Sequence, residues 1–178
     1  MSTTRRVLLL SGSLRAGSSN EAVLRTAAAL ASEGVTATRY EGLAALPHFN
    51  PDHDTDPLPA PVAELRAAID RADALLICTP EYAGTLPGSF KNLLDWTVGG
   101  TETTGKPTAW ITAAAPGRGT GAAATLATVL GYTGATVVEA ACRAVPVPPD
   151  AIGPDGLITD QSVRAAIASA LEALLSTR

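Results

Sequence analysis

Two short runs, "RRVLLLS" (5–11) and "DALLICT" (73–79), are apolar at consecutive rather than alternate positions. An amphipathic surface strand alternates. A strand covered on both faces does not, and that is the situation of strands in a parallel sheet flanked by helices. Each run leads through a turn rich in Gly, Ser or Pro into a segment of helical periodicity. After the first, Asn20 to Glu33 carries Val23, Leu24, Ala27, Ala28 and Leu30 at helical spacing, with Gly34 expected to close the helix as a left-handed cap.

The alternation continues along the chain. "VTATRYE" reads as a second strand and "PVAELRAAIDRA" as a helix before "DALLICT". "PGSFKNLLDWTV" starts a helix with Pro87 near its first turn, where a missing N–H costs little. "KPTAWITA" is a fourth strand, "GAAATLATVLGYTG" a helix closed by glycine, and "ATVVEAAC" a fifth strand. "DQSVRAAIASALEALLST" is a last helix, capped by Asp160 or Ser162. Five β units alternating with five helices predict an α/β, doubly wound parallel sheet, here as one domain over residues 1–178. Ligands of such sheets lie outside the carboxyl ends of the strands near the switch point. The loops that matter are therefore 11–20, 79–88 and 113–121.

Bulk properties narrow the function. A net charge of −4 gives no general basic field, so neither a nucleic acid nor an anionic membrane is the expected partner. No run of about 18 apolar residues is present. The apolar run after Arg5 and Arg6 is too short for a signal peptide, which points to the cytoplasm. Cys78 and Cys142 form no disulfide framework and no metal spacing, and read as small packed residues. His48 and His53, among Asp52, Asp54 and Asp56, lack a recognised ligand spacing and read as a solvated loop; no metal is expected. Lys91 and Asp95, at helical spacing, read as a surface or inter-subunit pair and not as catalytic groups, and Trp96 and Trp110 as core or interface residues. No catalytic Ser/His/Asp or Cys/His set is apparent.

The loop "SGSLRAGSSN" opens a helix, whose N-terminus offers unpaired N–H groups and a positive dipole end. Ser13, Ser18 and Ser19 add hydroxyls, Asn20 an amide and Arg15 a charge, while Gly12 and Gly17 let the backbone close around a tetrahedral group. The lysine of a Walker A loop is missing, as is G-x-G-x-x-G, so a terminal phosphomonoester fits better than a pyrophosphate. In the second loop, "TPEYAGTLPGSFKNLLDW", Pro80 and Pro87 bracket a stiff segment with Tyr82 at a strand's carboxyl end. Small Ala83 and Gly84 allow a planar ring close to the backbone. The third loop carries a rival motif: Gly119, Gly121 and Ala124 match G-x-G-x-x-A, with Glu139 20 residues beyond Gly119. Against a dinucleotide site there, only about one βα unit follows, where such a half has three strands.

"SGSLRAGSSN" together with "PEYAGTLPGSFKNLLDW" resembles the NADPH-dependent FMN reductase family of flavodoxin-like proteins, and the resemblance spans nearly the whole chain. It implies a flavodoxin-like sandwich with strand order 2-1-3-4-5. It further implies an FMN phosphate held by Ser11, Ser13, Arg15, Ser18, Ser19 and Asn20. The isoalloxazine would be bordered by Pro80, Glu81, Tyr82, Ala83 and Gly84, and lined by Ala114, Pro116, Gly117 and Gly119. Helix amides from Gly117 to Gly121 would face its pyrimidine end and stabilise charge on the reduced ring. Relatives commonly read Pro-Glu-Tyr-Asn, and Ala83 replaces that Asn. The activity implied is an NAD(P)H oxidoreductase, with NADPH or NADH as co-substrate. The small-molecule acceptor would be free flavin, a quinone, an azo compound or a metal oxyanion. The flavin carries the chemistry, so no catalytic side chain is expected. A homodimer or homotetramer is implied as well, with the loop from Pro47 to Pro61 and the helix from Pro87 to Val98 in contact. Two other readings compete: a flavodoxin-type electron carrier without NAD(P)H turnover, and a flavin-free binding protein of the same fold. Flavodoxins usually carry strong acidity and flanking aromatics, whereas this chain is mildly charged and 4% aromatic, which favours the enzyme.

Overall fold

The computed structural model describes residues 4–176. Strands β1 (Arg5–Ser11), β2 (Val35–Arg39), β3 (Ala74–Cys78), β4 (Pro107–Thr112), β5 (Thr136–Val137) and β6 (Arg143–Ala144) form one parallel sheet. Its order is β2-β1-β3-β4-β5, with β6 also paired to β4. Helices α1 (Ser19–Ala29), α2 (Ala60–Arg71), α3 (Gly88–Asp95), α4 (Thr120–Tyr132) and α5 (Gln161–Leu175) connect and cover it.

The continuous apolar runs are explained by two cores. Val7 and Leu9 of β1, with Leu76 and Cys78 of β3, pack on α1 and α5 among Val23, Leu24, Ile167 and Leu171. Leu8, Leu10, Leu75 and Ile77 point the other way, onto Leu65, Ile69, Phe90, Leu93, Leu126 and Trp96. Every residue of β3 is buried. Successive side chains of a strand alternate faces, so a sheet with helices on both sides needs apolar residues at every position.

Two element boundaries differ from the sequence reading. α1 ends at Ala29, not Glu33, with Leu30 as its cap. Gly34, at φ +80°, serves a tight turn in which Val35 N donates to Ser32 O at 3.0 Å. That turn delivers Gly34 O to Arg5 N at 2.8 Å, at the start of the sheet. The fifth strand is split: β5 and β6 have two residues each, separated by a 3-10 turn over Glu139–Ala141. The turn drops Ala141 into the core while Glu139 and Ala140 face solvent, which a continuous edge strand would not allow.

Asp160 is the cap of α5; hydrogen bonds from the Ser162 hydroxyl, Val163 N and Ser162 N to its carboxylate hold its pKa below the usual value. The Pro-rich loop before α2 is clamped onto α3. Trp96 Nε1 and Asn92 Nδ2 both donate to Pro47 O, and Phe49 meets the Trp96 ring edge-on at 5.0 Å. Asp54 pairs with Arg66 at 2.6 Å in a nearly enclosed site, and Arg66 Nε also donates to Trp96 O. Lys91 and Asp95 pair within α3.

Candidate functional site

The three loops leaving β1, β3 and β4 converge on a cleft of about 260 Å³ at the carboxyl edge of the sheet. β1 and β3 are neighbours from which the chain winds in opposite directions, so their loops leave a crevice between them. The first loop contributes Arg15, Ser19 and Asn20; the second Thr79, Pro80 and Glu81; the third Ala113, Ala114, Arg118 and Gly119.

The first loop is packed tightly against the second. Gly12 N donates to Cys78 O at 2.9 Å, and a Cβ at Gly12 would lie 2.0 Å from Thr79 Oγ1, so only glycine fits. Gly17, at φ +65°, turns the chain into α1. Ser18 is the N-cap: it is buried, and its Oγ accepts from Glu21 N at 3.1 Å. The amides of Ser19 and Asn20 have no partner among the described residues and stand at the positive end of the helix. Asn20 Oδ1 accepts from the Cys78 thiol at 3.3 Å, leaving its Nδ2 donors unengaged. The Arg15 side chain forms no ion pair or hydrogen bond among the described residues. Ser11 and Ser13 bond to each other and line a separate cavity of about 290 Å³ with Leu9, Leu43 and Tyr40, on the far side of the loop.

In the second loop, Tyr82 N donates to Thr85 O at 3.0 Å and Thr85 N to Tyr82 O at 3.1 Å. The two residues between them, Ala83 and Gly84, have φ +50° and +76°. Positive φ at both central positions defines the type I′ turn, whose usual sequence is Asn-Gly. The Asn of relatives is thus the residue the backbone prefers, and Ala83 holds a left-handed conformation that costs an alanine about 1–2 kcal/mol. Ala83→Asn is therefore expected to raise stability by about 1 kcal/mol. A lower thermal midpoint in that variant would rule out the strain. Tyr82 itself is 54% exposed.

Glu81 does more than border the cleft. Its Oε2 accepts from Ala122 N at 3.0 Å, placing a carboxylate at the N-terminus of α4. A Cβ at Gly121 would lie 2.1 Å from Gly84 O. The two contacts weld the second loop to α4, and they account for part of the glycine pattern that resembles a dinucleotide motif. Gly119, at φ +82°, packs against Thr112 and Ala114, where a Cβ would sit 2.5 Å from Thr112 Cγ2. Glu81 takes the amide of Ala122, the one that follows the Gly117–Gly121 set the resemblance assigns to a reduced ring. Pro116 and Gly117 form the centre of an exposed turn closed by Arg118 N donating to Ala115 O at 3.0 Å.

Sequence reasoning missed Thr79 and Arg118. Arg118 is the second cation of the cleft and likewise forms no side-chain bond among the described residues. The available signal was an arginine between two glycines at the mouth of a helix. Burial pushes the thiols of Cys78 and Cys142 above their usual range, so neither is a thiolate nucleophile near neutral pH. Among the described residues no three His, Cys, Asp or Glu side chains cluster as a metal site, and no helix is long and apolar enough to cross a membrane.

The model of the NADPH-dependent FMN reductase family matches residues 5–148. An NAD(P)H-dependent FMN reductase of Pseudomonas aeruginosa is 38% identical over 122 residues, which is 67% of this chain and 65% of that protein. A quinone reductase of Escherichia coli is 37% identical over 97 residues, 54% of this chain and 52% of that one. The matches thus span about half to two thirds of these relatives' lengths. Among solved structures, the flavoenzyme NAD(P)H:(acceptor) oxidoreductase of Paracoccus denitrificans has a TM-score of 0.77 and 27% identity, covering 97% of this chain and 98% of that one. A flavodoxin of Pseudomonas aeruginosa, at 22% identity and a TM-score of 0.57, covers 94% of this chain and 99% of that one and shares the flavodoxin-like fold.

Proposed function

Because the chain belongs to the NADPH-dependent FMN reductase family, we propose that it is an FMN-dependent NAD(P)H oxidoreductase and that the three-loop cleft holds the flavin mononucleotide. One observation carries this reading. The unpartnered amides of Ser19 and Asn20, the unpaired Arg15 guanidinium and the left-handed Gly17 converge where β1 meets α1. That donor set fits a phosphomonoester: it offers N–H groups, a helix dipole and a fixed cation, with no metal ligand.

FMN bound there supplies the hydride and electron chemistry. The chain supplies placement. Arg15, Ser19 and Asn20 hold the phosphate, and Ser18 keeps the helix start in register through its cap. Pro80 and the turn at Tyr82, Ala83 and Gly84 form one wall for the ring, and the Glu81 bond to Ala122 N fixes that wall against α4. Ala114 and Gly119 belong to the opposite wall, where Arg118 sets a positive charge against the cleft, while Pro116 and Gly117 form the exposed turn outside its lining. The acceptor is a small oxidised molecule, and a quinone is the first to test, given the quinone reductase relative. A cytoplasmic setting and a homodimer or homotetramer pairing through the 47–61 loop and α3 belong to the same reading.

The test is a visible spectrum of the protein as isolated and after FMN addition, followed by NADPH and NADH oxidation with a quinone. The expected results are a flavin spectrum, turnover, and parallel initial-rate lines when both substrates are varied. Protein that takes up no FMN would instead support the flavin-free reading. FMN uptake without nicotinamide oxidation would support the electron carrier.

A further inference from the structure

We propose that the Arg118 guanidinium, and not the N-terminus of α4, supplies the positive charge that stabilises the reduced flavin; the proposal rests on the flavin-site reading above. Among the described residues, the charged groups lining the cleft are Arg15, Glu81 and Arg118. Arg15 stands in the first loop, where the phosphate is placed, and a phosphate there neutralises it. Glu81 is engaged at α4, its Oε2 accepting from Ala122 N at 3.0 Å. Arg118 has no side-chain partner among the described residues and lines the cleft beside Ala114 and Gly119.

Magnitudes decide between the helix and the arginine. A helix N-terminus is equivalent to about half a positive charge. The first turn of α4 holds no acidic residue of its own, but the Glu81 carboxylate brings a full negative charge to that end. Helix end and carboxylate together are therefore net negative. The amides of Thr120 and Gly121 keep no acceptor among the described residues, yet the field behind them is opposed. Arg118 directly precedes Gly119, the cap of α4, and is a fixed cation of full charge.

The reaction gives that charge a task. Hydride transfer breaks a C–H bond of the dihydronicotinamide and forms an N–H bond on the flavin, so two electrons and one hydrogen nucleus move together. The nicotinamide is oxidised and becomes a cation, and the flavin is reduced and gains one negative charge unless a proton follows. A cation beside the ring then favours the reduced form over the oxidised form, and that difference in affinity is a shift in reduction potential. The wall of Ala114 and Gly119, where Arg118 stands, faces the ring in the flavin-site reading.

The experiment is anaerobic redox titration of the FMN-loaded protein against a dye of known potential, on the parent, Arg118→Ala, Arg118→Lys and Glu81→Gln. Arg118 is exposed, so its effect lies toward the weak end of the range for a charge pair at a protein surface. In Arg118→Ala the affinity for reduced FMN relative to oxidised FMN should fall about tenfold, which lowers the two-electron midpoint by about 30 mV. Affinity for oxidised FMN and thermal stability should stay as in the parent. Arg118→Lys should keep the parent's midpoint, because a charge and not a planar fork is needed, and Glu81→Gln should raise it. The Arg118→Ala shift should shrink as salt is added. An FMN-loaded Arg118→Ala protein with the parent's midpoint would overturn the assignment, as would Arg118→Lys behaving like Arg118→Ala. A raised KM for NADPH with an unmoved midpoint would overturn it too, and would give Arg118 to the co-substrate. Parent protein that takes up no FMN refutes the flavin-site reading, whereas uptake with an unmoved midpoint refutes this proposal alone.

Discussion

Gly121→Ala is expected to destabilise the protein by about 3 kcal/mol and to weaken flavin uptake, while Gly131→Ala in the same helix stabilises it by about 0.5–1 kcal/mol. The difference lies in what each methyl meets. At Gly121 it would stand 2.1 Å from Gly84 O and 2.9 Å from Gly84 C, and backbone has no rotamer to change. The type I′ turn must move away from α4, and the Glu81 bond to Ala122 N goes with it. At Gly131 no atom lies within 4 Å, so alanine only lowers the entropy of the unfolded chain and improves the helix. Urea denaturation of both variants measures the pair, and flavin titration of Gly121→Ala measures the wall. A Gly121→Ala protein as stable as the parent would mean that the second loop and α4 do not touch as described.

Arg15→Ala should raise the dissociation constant for FMN by roughly 10- to 150-fold, the range for loss of a charge-assisted hydrogen bond of about 1.5–3 kcal/mol. Its stability should be unchanged, because the guanidinium has no partner in the protein. Ser18→Ala provides the contrast. Its hydroxyl caps α1 at Glu21 N, so its removal should cost about 1 kcal/mol of folding stability. Quenching of FMN fluorescence during titration reads the affinity, and thermal denaturation reads the fold. An unchanged flavin affinity in Arg15→Ala would remove the phosphate from this loop. The protein would then need another anion site, and Arg118 is the other unpaired cation in the cleft.

The sequence was most legible where the physics is local or symmetric. "VLLL" and "ALLIC" could only be strands covered on both faces, and the two cores use their alternate residues as expected. The order 2-1-3-4-5, implied by the family resemblance, is the order observed. The edge was less legible. "ATVVEAAC" has the composition of a strand, but pairing on one side only does not hold it extended through Glu139, whose solvent exposure and 3-10 turn depend on neighbours distant in sequence. The end of α1 was misplaced for a similar reason: Gly34 is positioned by its carbonyl bond to Arg5, not by the helix. At the site, residue types indicated the three loops but not the assignments within them. Ser18 became a cap, Ser11 and Ser13 face another cavity, and Glu81 reaches across to α4. The role of Glu81 goes with how closely Gly84 approaches Gly121, a distance that no local pattern encodes.

The broken margin formed by β5 and β6 sets how copies of this protein can meet. With two residues in each strand and a 3-10 turn between, its main-chain donors and acceptors are offered in interrupted pairs. An extended segment from a neighbouring molecule finds no ladder there long enough to zip onto, so the sheet does not propagate from one copy to the next on that side. Contacts at this margin are left to side chains, which can be specific and can saturate.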